Sequence, residues 1–423
     1  MTIKEYHEVL DYLKRLIEGS EFEGHVYSVG GCERDAFLGK EIKDIDLVVD
    51  VAEGGIRLAN YLQQEGFVHE PIVTYPNFGT AMFRLNKFPG LELEAVHTRS
   101  ECYREKDSRN PETSFGTIKE DCKRRDFTYN AIYHNISKDE TCFFNSRSER
   151  DIKENILRTC GIPDIIFKED PLRILRAIRF ACRYNSIIEP NTFYGMKYYV
   201  KRLEILSKER IQDELVKIVT GNNLDLAVNY IFRVGAMPYI FPNFSHQINA
   251  EQILLRSIKI ADTHDLIVNL AAFMDLSENA KEDLKQLKFS NDVIDECLDI
   301  LDMNINEIIF EKETLLDSDI RKFQYKCGTY SNMVKHLNYM RATYERYNID
   351  DITYEVKQLT DDMVRRGTDM FGYKLPLDGN DVMEVKQIAP CAAVKRYLDM
   401  LLNYAYLNPG ITKDECITLL KYN

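Results

Sequence analysis

Two acidic residues, Asp44 and Asp46, flank one apolar residue at the start of a β-branched run, and a Gly30-Gly31 pair precedes them at the end of another. In a strand, residues two apart face the same side, so the two carboxylates project together while Ile45 turns toward a core. The glycine pair, in a turn from strand to helix, lets the backbone approach a ligand and leaves N–H groups pointing at it, which suits a phosphate. Paired carboxylates beside a phosphate cradle describe a magnesium site for phosphoryl transfer. No single part is specific. Asp317 and Asp319 repeat the Asp-x-Asp pattern where a solvated loop is expected, and a glycine pair is commonly just a turn. The order and spacing within residues 26–50 carry the reading.

The elements that must position these groups follow from periodicity. Residues 26–29 and 45–49 read as strands, with 36–38 in a short helix between them. Residues 54–65 read as a helix ending at Gly66, and 67–73, 78–85 and 91–98 as further strands. Together they make a small mixed sheet with helices on one side. Glu94, on the last strand, is either a third carboxylate for the metal or an exposed strand carboxylate, and stays outside the site.

Two later stretches carry charge in a pattern. In residues 122–132, CKRRDFTYNAI, Arg124 and Arg125 precede Asp126, and Asn130 follows four residues on, on the same side of a helix as Asp126. Taken alone this is a surface charge cluster. Residues 168–184 read as a helix opened by Asp170 at an N-cap position and Pro171 in the first turn. At about 100° per residue, Leu172, Ile174, Leu175 and Ile178 form one arc, and Arg173, Arg176, Arg179 and Arg183 the opposite one. An isolated arginine face is usually solvated. Beside a two-carboxylate metal site, the planar forks of arginine suit a nucleotide and RNA phosphates.

Read together, GGCERDAFLG, DID, RRDFTYNA and EDPLRILRAIRF resemble the class II tRNA nucleotidyltransferases, or CCA-adding enzymes, and their bacterial poly(A) polymerase relatives. That family's patterns are GGxxRDxLLG, DxD, RRDFTxNA and EDxxRxxRxxRF. Glu33 departs from them, standing where the family has an apolar residue. The resemblance covers nearly the whole chain, with its specific motifs between Gly30 and Arg179. It implies an α+β protein: an N-terminal nucleotidyltransferase head with a small mixed β-sheet, residues 1–148, followed by all-helical parts. These are a neck with a nucleotide-reading helix at 149–222, a body at 223–305 and a tRNA-binding tail at 306–423. It implies Asp44 and Asp46 as catalytic, Mg2+-binding residues, and Gly31 and Arg34 against the nucleotide. Asp170 and Arg173 would read the base, and Arg125, Arg176 and Arg179 would complete the pocket, while Asp126 and Asn130 brace a loop.

The activity so implied is template-independent addition of CCA to the 3′ end of tRNA from CTP and ATP, with release of pyrophosphate and with the tRNA held at its 3′ end and elbow. A poly(A) polymerase, a partial enzyme adding only CC or only A, and a silent RNA-binding protein are the alternatives. Loss of either aspartate would signal the last, and neither is lost. The base-reading pair makes chemical sense: a carboxylate accepts from the exocyclic amino group that cytosine and adenine share, and a guanidinium donates to the adjacent ring acceptor. Such a pair is worth roughly 1–3 kcal/mol of discrimination, and a buried mismatch costs a similar amount.

Composition bounds these readings. The 423 residues allow about two to four domains with a sizeable core. With 29% charged and 44% hydrophobic residues, disorder is not the default. A net charge of −13 argues against a nucleic-acid partner, since Lys and Arg make phosphate contacts. Its distribution weakens that objection: residues 250–320 hold 17 acidic against 6 basic side chains, whereas 168–217 hold 11 basic against 7 acidic. Ten cysteines lie far apart without a Cys-x-x-Cys, which is neither a zinc pattern nor a disulfide framework and points to reduced thiols in a cytoplasm. The N-terminal residues 1–20 read as an amphipathic helix and not a signal peptide, no run is long enough to span a bilayer, and nothing sets an oligomeric state.

Residues 99–120 are polar and rich in turn residues, and by length are a functional loop or a disordered one. In the family this is the flexible loop needed for the final A, shortened in relatives that add only two C residues, and here it is intact. Residues 135–150 read as a polar connector, and helical periodicity follows. From His246 to the mid-290s the chain resembles the HD-type helical domain of some bacterial members, but Met274-Asp275 replaces the His-Asp pair, and His264-Asp265 follows His246 too soon. A helical scaffold is expected there. Near the end, PLDGNDVM resembles the family's PLxGNDLM, with Asn380 and Asp381 as caps or turn formers.

Overall fold

A computed structural model describes residues 1–102, 112–244, 249–261, 263–302, 305, 308–309, 314–343 and 349–422. It comprises two compact units, one of residues 1–218 and 230–240, the other of 219–229 and 241–423.

The first unit is built on a sheet. Its strands are β1 (Val26–Val29), β2 (Ile45–Val49), β3 (Val68–Tyr75), β4 (Thr80–Leu85) and β5 (Leu93–His97). A separate hairpin, β6 (Arg99–Cys102) with β7 (Glu112–Phe115), follows, and then β8 (Tyr133–Asn135) and β9 (Glu140–Cys142) return to the sheet. The spatial order is β3-β4-β5-β2-β1-β8-β9, with β2 and β5 parallel and the other neighbours antiparallel. Along β2 the alternation divides two cores. Ile45, Leu47 and Val49 pack with Leu13 of α1 (Ile3–Ile17), and with Leu58 and Leu62 of a later helix. Val48 faces the other way, with Val29, Tyr133 and Ile118. A helix was expected on one side of the sheet; both faces of its centre are covered, because Tyr27, Val29, Val48 and Tyr133 make the second face apolar as well.

The helix after β1, α2 (Gly31–Phe37), begins at the second glycine, several residues earlier than expected. Helix α3 (Gly54–Gln64) lies so close to the sheet that a Cβ on Gly55 would overlap the carbonyl oxygens of Ala95 and Gly79. Helix α4 (Ile118–Arg124) opens on a capping box between Thr117 and Glu120. The expected long loop is therefore partly regular, at β6, β7 and α4, and its segment 103–111 lies outside the described residues. The stretch read as a connector supplies β9.

Beyond it come α5 (Ser148–Lys153), α6 (Pro163–Glu169), α7 (Leu172–Tyr184), α8 (Pro190–Tyr199) and α9 (Lys208–Val219). This part is helical as expected, with one addition: β10 (Ile156–Leu157) pairs in parallel with β11 (Ile187–Ile188), and both strands pack against α7.

The second unit is helical among its described residues. One core gathers Ile320, Phe323, Met333, Leu337, Met340 and Met363, and another gathers Leu377, Val382, Leu401, Ala405, Cys416 and Leu420. Asp317 and Asp319 start the helix Asp317–Cys327 instead of lying in a loop, with the Asp319 carboxylate accepting the Leu316 N–H at 3.1 Å. Asp265 caps the N-terminus of the helix Leu266–Met274, and Met274, where a histidine would stand, is buried at its last turn with Asp275 following; His246 lies outside the described residues. Asp378 caps the helix Gly379–Lys386, with Asp381 closing the box.

Candidate active site

The register of β1 against β2 decides what meets at the end of the sheet. Ser28 pairs with Leu47, so the chain leaving β1 passes beside Asp46. Gly30 has φ of 83°, in the left-handed region that favours glycine, and a Cβ there would stand 3.5 Å from Arg125 Nη1 and 3.9 Å from Asp46 Oδ2. Asp44 precedes β2 and is exposed, and its charge acts on Asp46. Glu94 is in register with Asp46 on β5, closer to the site than its sequence position required. The Asp46 carboxyl, open to solvent on one side and walled by protein on the other, is pushed up to about 6. Desolvation is the main cause; the charges of Glu94 and Asp44 add to it, against Arg125 and Arg34.

The facing wall is α7. Its apolar arc is buried as expected, and Arg173, Arg176, Arg179 and Arg183 are partly open. They are not a solvated stripe. Arg176 donates to Asp126 through Nε and Nη2 at 2.9 and 2.7 Å, and Arg179 donates to Glu214 of α9 at 2.6 Å. Burial works to raise the Asp126 carboxyl, but Arg176 and the Asn130 amide outweigh it and hold it below the usual carboxylate range. Arg179, Arg176 and Arg34 also surround the ring of Phe180, with Arg179 4.3 Å from its centroid, and Arg34 lies 4.7 Å from that of Tyr184.

Asp126 and Asn130 do not share a helix, since α4 ends at Arg124 and Asn130 sits in a 3-10 turn at Thr128–Asn130. They meet all the same, the Asn130 amide donating to Asp126 at 2.9 Å, and what they brace is a pair of arginines: Asp126 holds Arg176, and Asn130 Oδ1 accepts from Arg34 at 2.6 Å. Arg34 is itself buried, and its Nε and Nη2 donate to Asp35 at 2.9 and 3.1 Å. Arg125 donates to Asp121 and to the Tyr133 hydroxyl at 3.1 and 2.9 Å. The helix expected to open at Lys168 is two helices, with Asp170 at the joint. Its Oδ1 accepts the Leu172 N–H at 3.1 Å, a capping contact, and its Oδ2 accepts from Arg210 at 2.9 Å. Arg173 donates to the carbonyls of Ile166 and Arg124 at 3.2 and 3.0 Å.

These walls enclose a cleft of about 400 Å³, lined by Gly31, Arg34, Asp46, Arg125, Asp170, Arg173, Arg176 and Arg179, with Gly30, Asn130 and Phe180 between them. Of the residues assigned to the site from the sequence, Asp44 alone is not part of the lining; it stands two residues before Asp46. Sequence reasoning missed Phe180, Tyr184, Glu214 and Arg210. The spacing of four from Arg176 to Phe180 and on to Tyr184 was the signal for the two rings. A larger hollow of about 1130 Å³ opens elsewhere on this unit, away from Asp46.

Glu33 is buried on α2, behind the cleft, and its carboxylate accepts from the hydroxyls of Tyr6 and Ser28. Burial raises this carboxyl, and the two hydroxyls oppose that rise. An acid is tolerated at this apolar position because α1 and β1 each bring it a donor.

Residues 26–158 match the family described as the poly A polymerase head domain, and residues 187–248 the one described as a probable RNA and SrmB-binding site of polymerase A. In these two stretches the chain is similar to the tRNA nucleotidyltransferases and poly(A) polymerases. Among the relatives of this family, a mitochondrial CCA tRNA nucleotidyltransferase of Saccharomyces cerevisiae is 34% identical over 235 residues, 50% of this chain and 41% of its own length. A CCA-adding enzyme of Levilactobacillus brevis is 31% identical over 258 residues, 60% of this chain and 61% of its own. The matched stretches thus span about two fifths to three fifths of these family members' lengths. In fold, the chain is similar to the Bacillus stearothermophilus CCA-adding enzyme solved in complex with CTP, with a TM-score of 0.75 at 20% identity over 99% of this chain and 97% of that one.

Proposed function

We propose that this protein adds CCA to the 3′ end of tRNA, using CTP and ATP and releasing pyrophosphate. The observation that carries the reading is the cleft itself, in which Asp46 and the arginine-bearing α7, more than a hundred residues apart in the chain, face one nucleotide-sized space. The names of the relatives, CCA tRNA nucleotidyltransferase and CCA-adding enzyme, support it.

Among the described residues there is no group of three or more His, Cys, Asp or Glu that could enclose a metal. Asp44 and Asp46 are two carboxylates, and two carboxylates fit Mg2+, which is commonly held by one or two of them and completes its shell with phosphate oxygens and water. Asp44 and Asp46 are the ligands in this proposal, with Glu94 in reserve beside Asp46. Two bound magnesium ions would lower the pKa of the primer's 3′ hydroxyl and neutralise the leaving pyrophosphate. The backbone N–H of Gly31 is offered to the triphosphate, while that of Gly30 is donated to the Ile132 carbonyl at 3.2 Å. Arg125, Arg176 and Arg179 bring positive charge to it while their own counter-ions fix their planes. Asp170 and Arg173 read the base edge, each with hydrogen-bonding capacity left for it. Asp170 keeps lone pairs beyond those used by Leu172 and Arg210, and a guanidinium has five donors.

Among the described residues no helix is long and apolar enough to cross a membrane, and nine cysteines are free. The thiols support a reducing compartment, and we place the protein in the cytoplasm. The test is incubation with Mg2+, a tRNA lacking its 3′ CCA and each nucleoside triphosphate in turn. Three added nucleotides, ordered C, C, A, are expected. A long A tail would make the protein a poly(A) polymerase, a stop after CC or A alone a partial enzyme, and no addition an RNA-binding protein.

A further inference from the structure

The larger hollow of the first unit takes no part in the reading above. Its walls are α8, the turn that leads into α6, and the connector before α5. Tyr194 and Tyr198 stand four residues apart on one face of α8 and are 67% and 78% exposed, and Ile162 on another wall is 62% exposed. Rings left this open, gathered at one cavity, mark an interaction surface more than a fold requirement. Arg147 and Lys197 line the same hollow, exposed and outside any ion pair among the described residues. Of its two acids, Glu189 is taken up by capping α8 and pairing with Arg158 at 3.2 Å, which leaves Asp164 against the two open cations. Open aromatic faces beside open cations are the features that hold single-stranded nucleic acid: rings stack on bases of any sequence, and the cations follow the phosphates.

The hollow also has a defined relation to the cleft. Helix α6 runs from Asp164, on the wall of the hollow, to the joint at Asp170, on the wall of the cleft, six residues or about 9 Å of helix. Cys160, lining the hollow, donates its N–H to the carbonyl of Asp126, which lines the cleft, at 3.2 Å. At about 3.4 Å per stacked nucleotide, 9 Å is on the order of three nucleotides.

We propose that this hollow is a second RNA subsite: it takes the unpaired nucleotides just upstream of the 3′ end being extended, with bases against Tyr194 and Tyr198 and phosphates against Arg147 and Lys197. The inference rests on the proposed function, and it adds a place where the strand is held while its end is read at Asp170.

The test compares the protein with two double variants, Tyr194→Ala with Tyr198→Ala and Arg147→Ala with Lys197→Ala. Affinity for a tRNA lacking its terminal A is measured by fluorescence anisotropy, and turnover by ATP incorporation at saturating tRNA. These side chains are exposed, so melting temperatures should match. The tyrosine pair should weaken tRNA binding about 10- to 100-fold, with turnover at saturation held within about twofold. The cation pair should lower the dependence of log Kd on log salt by about two. Trimming the unpaired 3′ nucleotides from the tRNA should abolish the difference between the protein and its tyrosine variant. Equal affinity of both variants and the parent for the longer tRNA overturns the proposal, including the case in which the hollow is then found to bind a protein chain. A parent protein that binds tRNA but incorporates no nucleotide would instead defeat the function proposed above and leave the binding comparison standing.

Discussion

Asp170 is oriented from two sides: Arg210 of α9 donates to one carboxylate oxygen at 2.9 Å, and the N–H that opens α7 donates to the other at 3.1 Å. A carboxylate fixed this way presents its remaining lone pairs in one direction, so if Asp170 reads the base as proposed, the geometry of that reading depends on a residue that does not line the cleft. Arg210→Ala should cost under about 1 kcal/mol of stability, because the pair is partly exposed. It should also lower the preference for CTP over UTP about 5- to 10-fold, the scale of one charge-assisted hydrogen bond. Competition between labelled CTP and UTP reads this out, and Arg210→Lys should recover part of the loss. An unchanged ratio would show that Asp170 is oriented without Arg210.

Asp46 carries the pH prediction. Its proton is held up to about 6, against 3.8 for an ordinary aspartate, so the folded protein binds it more tightly than the unfolded chain does. Ionising Asp46 therefore costs stability as pH rises from about 4 to about 6, and the full cost is present above that. Asp46→Asn should melt higher than the parent above pH 6 without divalent metal, and the gain should vanish below about pH 4. The same variant should lose incorporation while still binding tRNA. Equal melting temperatures at pH 8 would show that the cleft does not strain this carboxylate.

Asp126→Ala removes the counter-ion of Arg176 from a buried position. Breaking such a pair on one side should cost about 3 kcal/mol, read by urea denaturation. The double change Asp126→Ala with Arg176→Met should recover much of that stability without recovering nucleotide binding. Activity restored along with stability would remove Arg176 from the pocket.

Tyr6→Phe removes a donor from Glu33 and leaves a buried acid under-satisfied, at a cost of about 1–3 kcal/mol. Glu33→Leu combined with Tyr6→Phe should be much milder than the sum of the two single changes, because the polar group and its donor leave together. A chemical denaturation cycle measures the coupling, and simple additivity would contradict the bonds described.

Gly55→Ala should destabilise the first unit by about 3 kcal/mol, near the top of the range for overpacking, since the clash is with two carbonyls and not with a flexible side chain. A melting temperature equal to the parent's would mean that α3 can shift outward freely.

Much of this site was legible because its chemistry is local. The Gly30-Gly31 turn, the alternation along β2 and the three-four spacing of α7 each follow from a short window, and each stands as expected. What was not legible depends on register and on distant partners. Glu94 sits beside Asp46 because β5 pairs with β2 in parallel, and nothing in residues 91–98 announces that neighbour. Asp126 and Asn130 read as helical by their spacing of four, yet a turn brings them together. Glu214 and Arg210, 35 and 40 residues along the chain from the Arg179 and Asp170 they hold, decide how those groups are placed. The second apolar face of the sheet was visible in Tyr27, Val29 and Val48, but β8, which completes it, is three residues long and too short for a periodic signal.

The side chains around Asp35 bear on how the molecule can be divided. Its carboxylate accepts from Arg34 next to it and from the Tyr184 hydroxyl at 2.8 Å, with Arg183 3.4 Å away, so the first turn after the glycine pair is tied to the far end of α7. A fragment cut at residue 148 would leave that acid and the buried Arg34 facing water, along with the ring faces they pack under. Such a piece should express as an insoluble or protease-sensitive product, and the shortest polypeptide that keeps β1 and β2 folded should reach through α7.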